Sequence, residues 1–312
     1  MSTINKSFIR MLKGIVILDL EFESKTGLLI RMPIQAQAYR IGGGDVYPMV
    51  TKRLYVSIGE VLEIPYIPGS SFKGRMRGLL ELTLGKKLYT TDQKIWQHVR
   101  SLSAMSIDEF VADVLDRCVI DELFGYAATN YRQILEKAEK EKKSINVDDM
   151  FKVLAITRLL VDDFYPSEEY VKKIGAKSIA DFLEEKSENR LDRVTSAADP
   201  RDVVRVKPGT IFGGKVTLLL FDHDDAMIEK YLATVATGLK LIEETYLGGS
   251  GSRGYGRVKF TKIDVGVDKV QIINGVPKLI SLINLRKRYN SVEELEKNIA
   301  ELVQVIKNAI FG

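Results

Sequence analysis

Alternation of apolar and polar residues along the chain predicts a sheet packed against helices. The stretch from Lys13 to Glu23 is apolar through its centre and alternates at its end, as expected of a strand. Ile211 to Phe221 has the same character, and Arg257 to Val265 alternates regularly. Asp224 to Tyr246 instead places apolar residues three and four positions apart, which predicts a helix between the last two strands. The pattern therefore indicates an α+β fold.

A second helix is predicted directly after Pro68-Gly69, where an extended segment ends. Its buried stripe would consist of Phe72, Met76, Leu79 and Leu80. Ser70 or Ser71 would cap its first turn. Lys73 and Arg77 lie four positions apart and would share another face. Free N–H groups beside basic side chains suit a phosphate, although a capped surface helix with solvated basic residues explains the same pattern.

Leu84 to Tyr170 is predicted to be a mostly helical and highly charged insertion. Within it, Trp96 is expected in the core rather than as a platform for base stacking. Lys152 to Val161 is expected to return to the sheet, and Asp162-Asp163 would form the turn at the end of that strand.

Two further helix starts are predicted near the C-terminal end. Asp222 to Asp225 would cap the helix that follows them, with a metal site as the minor alternative. Ser291 and Glu294 predict a capping box for an amphipathic helix that runs to Phe311.

The composition is that of an ordinary globular protein. Of the 312 residues, 45% are hydrophobic and 28% are charged, and the formal net charge of +4 permits a localised basic surface without requiring nucleic acid. Cys118 is the only cysteine, so an internal disulfide and a cysteine-based zinc site are excluded, which fits a reducing cytosol. No apolar run approaches the length of a membrane helix. We therefore expect a cytoplasmic protein with no membrane partner.

The most informative stretch is the loop from Tyr246 to Arg257, between the predicted helix and the last strand. Its five glycines let the backbone take positive φ or let another molecule approach closely: Gly248, Gly249, Gly251, Gly254 and Gly256. Three of them, Gly249, Gly251 and Gly254, match the dinucleotide fingerprint G-x-G-x-x-G. That fingerprint requires a strand before it and a helix after it. The order here is reversed, so no nucleotide cofactor is expected.

Two other stretches present groups that could act on a large ligand. Arg40 to Pro48 holds three glycines before Asp45, which is either a simple turn or a carboxylate on an approachable backbone. Glu188 to Thr210 interleaves small and β-branched residues with basic ones, namely Arg190, Arg193, Arg201, Arg205 and Lys207. We predict a long basic hairpin that could follow a phosphate backbone, because long ordered loops are usually functional.

Taken together, four stretches resemble the RAMP superfamily of CRISPR RNA-binding proteins, and within it the backbone subunit of type III (Csm-type) interference complexes. They are Pro65 to Arg77, Leu123-Phe-Gly125 with Arg158 to Pro166, Asn189 to Arg201, and the glycine loop. These stretches follow one another in the order that the family shows.

The resemblance implies a ferredoxin-like, RNA-recognition-like palm with helical insertions and a β-hairpin thumb. A single RAMP domain would divide into a palm (about 10–85 and 150–265), a helical insertion (about 86–150), a thumb (about 187–210) and a C-terminal helix (about 291–311). It also implies that the chain binds guide CRISPR RNA, stacks with further copies of itself in a filament and meets target RNA. Other type III subunits would complete the complex: a large polymerase-like subunit, small subunits and capping RAMP subunits.

By the same resemblance, Asp45 matches the family's catalytic aspartate, in a glycine-bearing loop after the first strand. An Asp with an ordinary pKa of roughly 3.9 is a poor general base at neutral pH. A divalent Mg or Mn ion held by Asp45, or simple orientation of the attacking RNA hydroxyl by Asp45, is therefore expected rather than proton abstraction alone. The residues expected to contact RNA are Lys52, Arg53, Ser70, Ser71, Lys73, Arg77, Arg190, Arg193, Thr195, Arg201, Arg205, Gly249, Ser250, Gly251, Ser252, Arg253, Gly254 and Tyr255.

Two alternatives stay open. Leu29 to Met32 replaces a histidine and a glycine pair that the family usually carries, and Thr51 to Arg53 replaces a further acidic residue. The chain could therefore be a non-cleaving structural paralogue. A guide-processing endonuclease of the wider superfamily would instead need a second ferredoxin-like domain and a histidine-centred site near the N-terminus, and the sequence indicates neither.

Overall fold

An antiparallel sheet of seven strands organises the computed structural model, which describes residues 10–33, 46–90, 92–99, 101–126, 129–146, 150 and 157–312. The strands are β1 (Leu12–Ser24), β2 (Val50–Tyr55), β3 (Glu60–Pro65), β4 (Leu159–Val161), β5 (Tyr165–Pro166), β6 (Leu183–Leu191), β7 (Ala198–Val206), β8 (Ile211–Phe221), β9 (Val258–Ile273), β10 (Val276–Ser281) and β11 (Lys287–Tyr289). The helices are α1 (Gly69–Thr83), α2 (Ile107–Leu115), α3 (Val119–Phe124), α4 (Tyr131–Lys140), α5 (Glu168–Ile174), α6 (Ile228–Glu244), α7 (Val292–Lys297) and α8 (Ile299–Ile310).

The order of the strands identifies the fold. The sheet runs β10-β9-β1-β8-β4 with every pairing antiparallel, while β11 joins β9 and β5 joins β8. Along the chain, β1, α1, β4, β8, α6 and β9 follow one another as β-α-β-β-α-β, with the other elements inserted between them. Strand order β9-β1-β8-β4 is that of a ferredoxin-like sheet. The predicted α+β class, with helical insertions and a hairpin, is confirmed.

Strand β1 shows how alternation specifies the two faces of the sheet. Its even-numbered residues from Val16 to Phe22 are buried against α1 and α6, whereas Asp19 on the other face is exposed. The Phe22 ring lies within 6.3 Å of the rings of Phe72, Phe164, Phe212 and Phe260, measured between centroids. This aromatic cluster fixes α1 on the inner face, and we call the opposite side of the sheet the outer face.

Helix α1 begins two or three residues earlier than a cap at Ser70 or Ser71 would allow. Pro68 is its N-cap residue, and neither Ser70 nor Ser71 caps the helix, so that prediction is wrong. The Gly69 N–H instead donates to Asp163 Oδ1 at 2.7 Å. A Cβ at Gly69 would overlap the Val161 carbonyl oxygen, so glycine lets the helix start against the end of β4. A carboxylate distant in sequence thus replaces the local serine, and the predicted Asp162-Asp163 turn supplies it.

Buried charges join the helical insertion to the palm. Arg158 is 1% exposed and pairs with Asp224 through two contacts of 2.8 Å, and Arg117 donates to the same carboxylate at 2.8 Å. Burial opposes the charge on Asp224, but Arg158 outweighs it and lowers the Asp224 pKa. The predicted helix cap at Asp222 to Asp225 is therefore wrong, because the Asp224 side chain closes this network and makes no cap bond.

The middle of the chain departs from the pattern in one further way. Trp96 is 63% exposed, so the expectation of a core tryptophan is wrong. Its neighbourhood lies at the surface, where the antiparallel bridge between Tyr89 and Gln97 orders the backbone. Of the strand predicted from Lys152 to Val161, the structure shows β4, while residues 151–156 lie outside the described part of the chain.

The predicted hairpin and the predicted C-terminal helix are both present, but their lengths differ from those predicted. Strands β6 and β7 pair from Leu183↔Val206 to Leu191↔Ala198, which confirms the hairpin. Ser291 Oγ accepts the Glu294 N–H at 3.2 Å, as predicted, although the helix it caps ends at Lys297 and α8 follows as a separate helix. Strand β9 runs beyond its predicted end to Ile273 and pairs with β10, which the pattern did not predict.

Candidate nucleic-acid interface

The glycine loop between α6 and β9 is held by its own backbone. Gly248, Gly254 and Gly256 take φ of +83°, +81° and +73°, and Ser250 takes +61°. The Gly249 N–H donates to the Leu29 carbonyl at 2.8 Å, and the Gly256 N–H donates to the Gly27 carbonyl at 3.0 Å. Because main-chain bonds to the segment after β1 fix the loop, the side chains of Ser252 and Arg253 stay exposed.

Gly251 is required by a close contact. A Cβ at this position would overlap the Tyr246 ring. On that ring lies the Arg75 guanidinium, 3.9 Å from the centroid, and Arg75 Nε also donates to the Tyr246 carbonyl at 3.0 Å. Arg75 was not among the residues expected at the site. Arg75 lies two residues after Lys73, and this position could have drawn attention to it. The helical spacing alone, however, did not assign the Arg75 side chain to a functional face of α1.

The thumb hairpin, formed by β6 and β7, is fastened to the glycine loop through Tyr255. The Tyr255 hydroxyl donates to Glu188 Oε1 at 2.6 Å, and the cations of Lys186 and Arg205 lie 4.6 and 4.7 Å from the ring centroid. The hydrogen bond from this hydroxyl and, second in size, the one from Arg201 lower the Glu188 pKa to about 2. Tyr255 is 1% exposed, so the ring itself is a buried link between loop and thumb. An RNA contact of its side chain stays a prediction.

A third segment reaches the same place. Val46 and Val203 form a parallel bridge, and the Val204 N–H donates to the Val46 carbonyl at 3.1 Å. Val46, Leu29, Val203 and Tyr255 pack into one small apolar cluster. Asp45, the predicted catalytic and metal-binding residue, lies outside the described residues. The chain that leaves it through Val46 is joined to the base of the thumb.

Three arginines of the thumb are paired with carboxylates within the hairpin. Arg190 lies 2.8 Å from Asp199, Arg201 lies 2.7 Å from Glu188, and Arg205 lies 2.7 Å from Glu184. From 183 to 206 the sequence holds five Lys or Arg and six Asp or Glu, a net charge of −1. The hairpin is therefore not basic over its paired strands, contrary to expectation, because sequence spacing did not show which carboxylates lie across from the arginines.

The turn at the tip of the thumb is more open. Asp192 Oδ1 accepts the N–H groups of Val194 at 2.8 Å and Thr195 at 2.7 Å, and these bonds lower the Asp192 pKa. The Thr195 hydroxyl also bonds Asp192, at 3.1 Å. Val194 is 92% exposed and Arg193 is exposed beside it. The tip thus presents a cation and an apolar side chain on an ordered turn.

On α1, the predicted phosphate-binding residues are engaged by the protein. Arg77 bonds Glu81 at 2.7 Å, the Gly125 carbonyl at 3.2 Å and the His98 carbonyl, and its side chain is 18% exposed. Lys73 Nζ donates to the Leu159 carbonyl at 2.7 Å. Burial, followed by the charge of Arg77, lowers the Lys73 pKa to about 8. RNA contacts of these two residues stay predictions, and their present contacts join α1 to the insertion and to β4.

The remaining predicted RNA contacts lie on β2 and at the start of α1. Lys52 and Arg53 are exposed on the β2–β3 hairpin, and the Arg53 guanidinium stacks 4.2 Å from the Tyr165 ring centroid. Ser70 is exposed and Ser71 is half-buried in the first turn of α1. The structure therefore brings the glycine loop, the thumb base and the segment after Asp45 together, while α1 and β2 carry separate groups of cations.

One buried group of side chains could hold a metal ion. His98, Asp113, Cys118 and Asp121 each offer a ligand atom, all within 4.8 Å of one another, and His98 Nε2 lies 3.3 Å from Cys118 Sγ. Burial opposes protonation of His98, but Cys118 and the Lys87 carbonyl raise its pKa to about 9. The cluster lies in the helical insertion. Among the described helices, none combines the length and apolar character needed to cross a membrane.

Comparison with known proteins places the chain among CRISPR proteins. The model of the RAMP superfamily matches residues 39–259. A protein named CRISPR system Cms endoribonuclease Csm3, from Methanothermobacter thermautotrophicus, is 31% identical over 256 residues, which cover 82% of this chain and 87% of the relative. Its namesake from Methanocaldococcus jannaschii is 30% identical over 94% of this chain and 95% of its own. The crystal structure of Methanopyrus kandleri Csm3 aligns with 94% of this chain and 98% of its own, with 20% identity and a TM-score of 0.49.

Proposed function

We propose, from the premise that this chain belongs to the RAMP superfamily, that it is a CRISPR endoribonuclease that binds guide RNA and cleaves complementary target RNA. The relatives that carry the endoribonuclease name span most of the chain, which supports the activity. The observation that carries the site is the cluster of Leu29, Val46, Val203 and Tyr255. It joins the glycine loop, the thumb and the segment that follows Asp45.

The RNA backbone would lie across this junction. Main-chain groups of the glycine loop and the exposed Ser252 and Arg253 can meet phosphates, since counterion release favours exposed cations. At the thumb tip, Arg193 can reach a phosphate while Val194 can wedge between bases. We keep Lys52, Ser70, Ser71 and Lys73 as further contacts on the neighbouring surfaces. Paired arginines of the thumb would exchange their carboxylate partners for phosphates.

Cleavage is proposed to proceed by attack of the target's own 2′-OH on the adjacent phosphate. A 2′,3′-cyclic phosphate forms, the bond from phosphorus to the 5′-oxygen breaks, and a proton is lost from the 2′-OH and gained by the departing 5′-oxygen. Holding these two groups in line supplies much of the acceleration, because positioning replaces a bimolecular encounter. Asp45 is the proposed ligand of a divalent Mg or Mn ion, which would supply positive charge at the scissile phosphate. Two carboxylates near the junction, Glu184 and Glu188, are paired with Arg205 and Arg201. Asp45, which the family resemblance assigns as the catalytic aspartate, is the residue on which the reaction is proposed to depend.

The assembly follows from the same premise. We propose that copies of the chain stack along the guide RNA together with a large polymerase-like subunit, small subunits and capping RAMP subunits, in the cytoplasm. The division into palm (about 10–85 and 150–265), insertion (about 86–150), thumb (about 187–210) and C-terminal helix (about 291–311) is kept as the proposed organisation.

The test is cleavage of complementary target RNA by the assembled complex carrying Asp45→Ala. We expect the rate to fall at least about a hundredfold while guide and target affinities stay within about threefold, because the group acts only in the reaction. Asp225→Ala, at an exposed carboxylate remote from the junction, should cleave normally. A 2′-deoxy substitution at the cut site should also stop the reaction, since it removes the nucleophile.

Two results would contradict this proposal. Full cleavage by the Asp45→Ala complex would place the reaction elsewhere on the chain. A wild-type complex that binds target RNA and never cleaves it would make the chain a structural paralogue, in keeping with Leu29 to Met32 in place of the family's histidine and glycine pair.

A further inference from the structure

The buried group of four side chains in the helical insertion has the composition of a metal site. Three segments supply it: the loop before α2, the body of α2 and the start of α3. The ligand atoms lie within 4.8 Å of one another and belong to His98, Asp113, Cys118 and Asp121. His98, Cys118 and Asp121 are at most 4% exposed. Thiol, imidazole and carboxylate groups gathered away from water are costly unless cations compensate the buried charge.

The distances around His98 suit four-coordinate binding. His98 Nε2 lies 3.3 Å from Cys118 Sγ, 3.6 Å from Asp121 Oδ2 and 3.8 Å from Asp113 Oδ1. Ligand atoms around a tetrahedral zinc ion are roughly 3.3–3.5 Å apart, given bonds of about 2.0 Å to nitrogen and oxygen and about 2.3 Å to sulfur. The four groups are therefore close to the spacing that an ion would impose, and small rotations of the carboxylates would complete it.

The other ring nitrogen of His98 is held as it is in ligating histidines. His98 Nδ1 lies 2.9 Å from the Lys87 carbonyl oxygen, which can only accept a hydrogen bond. Nδ1 therefore donates, and in the neutral imidazole this leaves the Nε2 lone pair for the group formed with Cys118 and the two carboxylates. A carbonyl behind a ligating histidine is a frequent outer contact, because it fixes the tautomer and the orientation of the ring.

The types of ligand select among metals. Magnesium and calcium take oxygen ligands, whereas thiolate and imidazole together favour zinc. The single cysteine argued against a zinc site built on several cysteines, but one thiolate with one imidazole and two carboxylates is also a four-ligand set. We propose that His98, Asp113, Cys118 and Asp121 bind a zinc ion that fixes the loop before α2 to α2 and α3. Zinc takes the thiolate and the neutral imidazole, so binding displaces protons from Cys118 and from His98 Nε2.

The role of the ion would be structural. The apolar core of the insertion comprises seven described buried residues, all between positions 105 and 150. Before position 100, Tyr89 is the described residue that packs against this core. A small apolar core gains from a structural metal where packing alone is insufficient. Because the His98 carbonyl also accepts a hydrogen bond from Arg77, an ion at His98 would hold the loop against α1 as well.

An ionic cluster around Lys86 is the alternative to a metal ion. Lys86 is half-buried; burial opposes its charge, but Cys118 and, with smaller effects, Asp113 and Asp121 raise its pKa. Arg77 Nη2 lies 3.8 Å from Asp121 Oδ1. A thiolate and two carboxylates around a zinc ion leave one negative charge, which these cations can balance. A zinc site therefore tolerates the loss of Lys86, whereas an ionic cluster depends on it.

Metal content and a cobalt spectrum of the full chain test the site. Wild-type protein purified with zinc should keep about one ion per chain after dialysis, measured by plasma mass spectrometry. Cobalt(II) in place of zinc should show a thiolate-to-metal absorption band. Cys118→Ser and His98→Ala should each weaken zinc binding at least about tenfold. His223→Ala, at the exposed second histidine of the chain, is the matched control and should bind zinc like the wild type.

Thermal unfolding separates the zinc site from the ionic cluster. Zinc added to chelator-treated wild type should raise the Tm, because the ion binds the folded chain, and the Tm of Cys118→Ser should change little. Lys86→Met should keep the zinc-dependent rise.

Three results would overturn the proposal. They are a wild type that binds no zinc and is destabilised by Lys86→Met, a cobalt derivative without the thiolate band, and His98→Ala and Cys118→Ser variants that bind zinc like the wild type. None of these measurements uses RNA, so they are independent of the cleavage test with the Asp45 variant.

Discussion

The glycine loop and the first turns of α1 are built from the same kinds of residue, yet the fold uses them differently. Each combines glycine, serine and basic residues. In the loop, backbone hydrogen bonds to Gly27 and Leu29 bear the structure, so Arg253 is left exposed. In α1, the Arg77 guanidinium donates to Glu81 and to the Gly125 carbonyl, so its hydrogen bonds are made within the protein. Arg253 donates to the Ser250 hydroxyl at 2.7 Å and stays accessible to a phosphate, whereas the bonds of Arg77 bury its guanidinium against the protein.

Removing Arg77 should give the largest effect on stability. Arg77→Ala leaves the buried carboxylates of Glu81 and Asp121 without this cation, and loss of one member of a buried pair costs about 3 kcal/mol. Urea unfolding should show this loss in the free energy of unfolding. Arg253→Ala, at an exposed side chain, should change stability by about 0.5 kcal/mol at most.

The same two variants should rank in the opposite order for RNA. Arg253→Ala should weaken guide RNA at all sequences and lower the slope of affinity against salt by about 1, since one phosphate contact is lost. An Arg77→Ala protein that is as stable as the wild type and loses RNA affinity would show that α1 is a phosphate site after all.

Adding a single methyl group to the loop should have the next largest effect. Gly251→Ala places a Cβ in the Tyr246 ring, which should cost about 1–3 kcal/mol of local packing and reduce guide-RNA loading. Gly249→Ala is the matched control, because its Cβ would make an ordinary contact of 3.6 Å with the Leu29 carbonyl and its φ is not positive. Equal RNA loading by both variants, measured by filter binding, would reduce the loop to a connector.

Some of these features could be predicted from the sequence and others could not. Alternation and helical spacing were enough for β1, α1 and α6, because each depends on a local period. The ferredoxin-like arrangement came from the family resemblance, since the order of the strands depends on pairings distant in sequence. The glycine loop could be found because so many glycines in a short stretch are unfavourable in a helix or a strand. What spacing could not show were partners distant in sequence: Asp163 at the start of α1, Glu188 across from Arg201, and Arg75 on Tyr246. Whether a cation is free depends on those partners.

The stability of the protein should also depend on pH through Lys73. The folded-state pKa of Lys73 is about 8, below its ordinary value, because the ammonium group is half-buried. Between pH 8 and its ordinary pKa the unfolded chain binds more protons, so stability should rise with pH in that window. Lys73→Met should remove the rise. A phosphate close to Lys73 would raise its pKa, so loss of the rise in guide-loaded wild-type protein would place RNA at α1.

The most direct test of the central claim is ultraviolet cross-linking of the guide-loaded protein, followed by peptide mapping. RNA at the junction of glycine loop and thumb predicts most cross-links within 246–257 and 189–201, and a smaller number at the start of α1. Arg75→Ala, which removes the cation above Tyr246, should reduce the first group of cross-links and leave the second. Cross-links confined to α1 and the helical insertion would contradict the account.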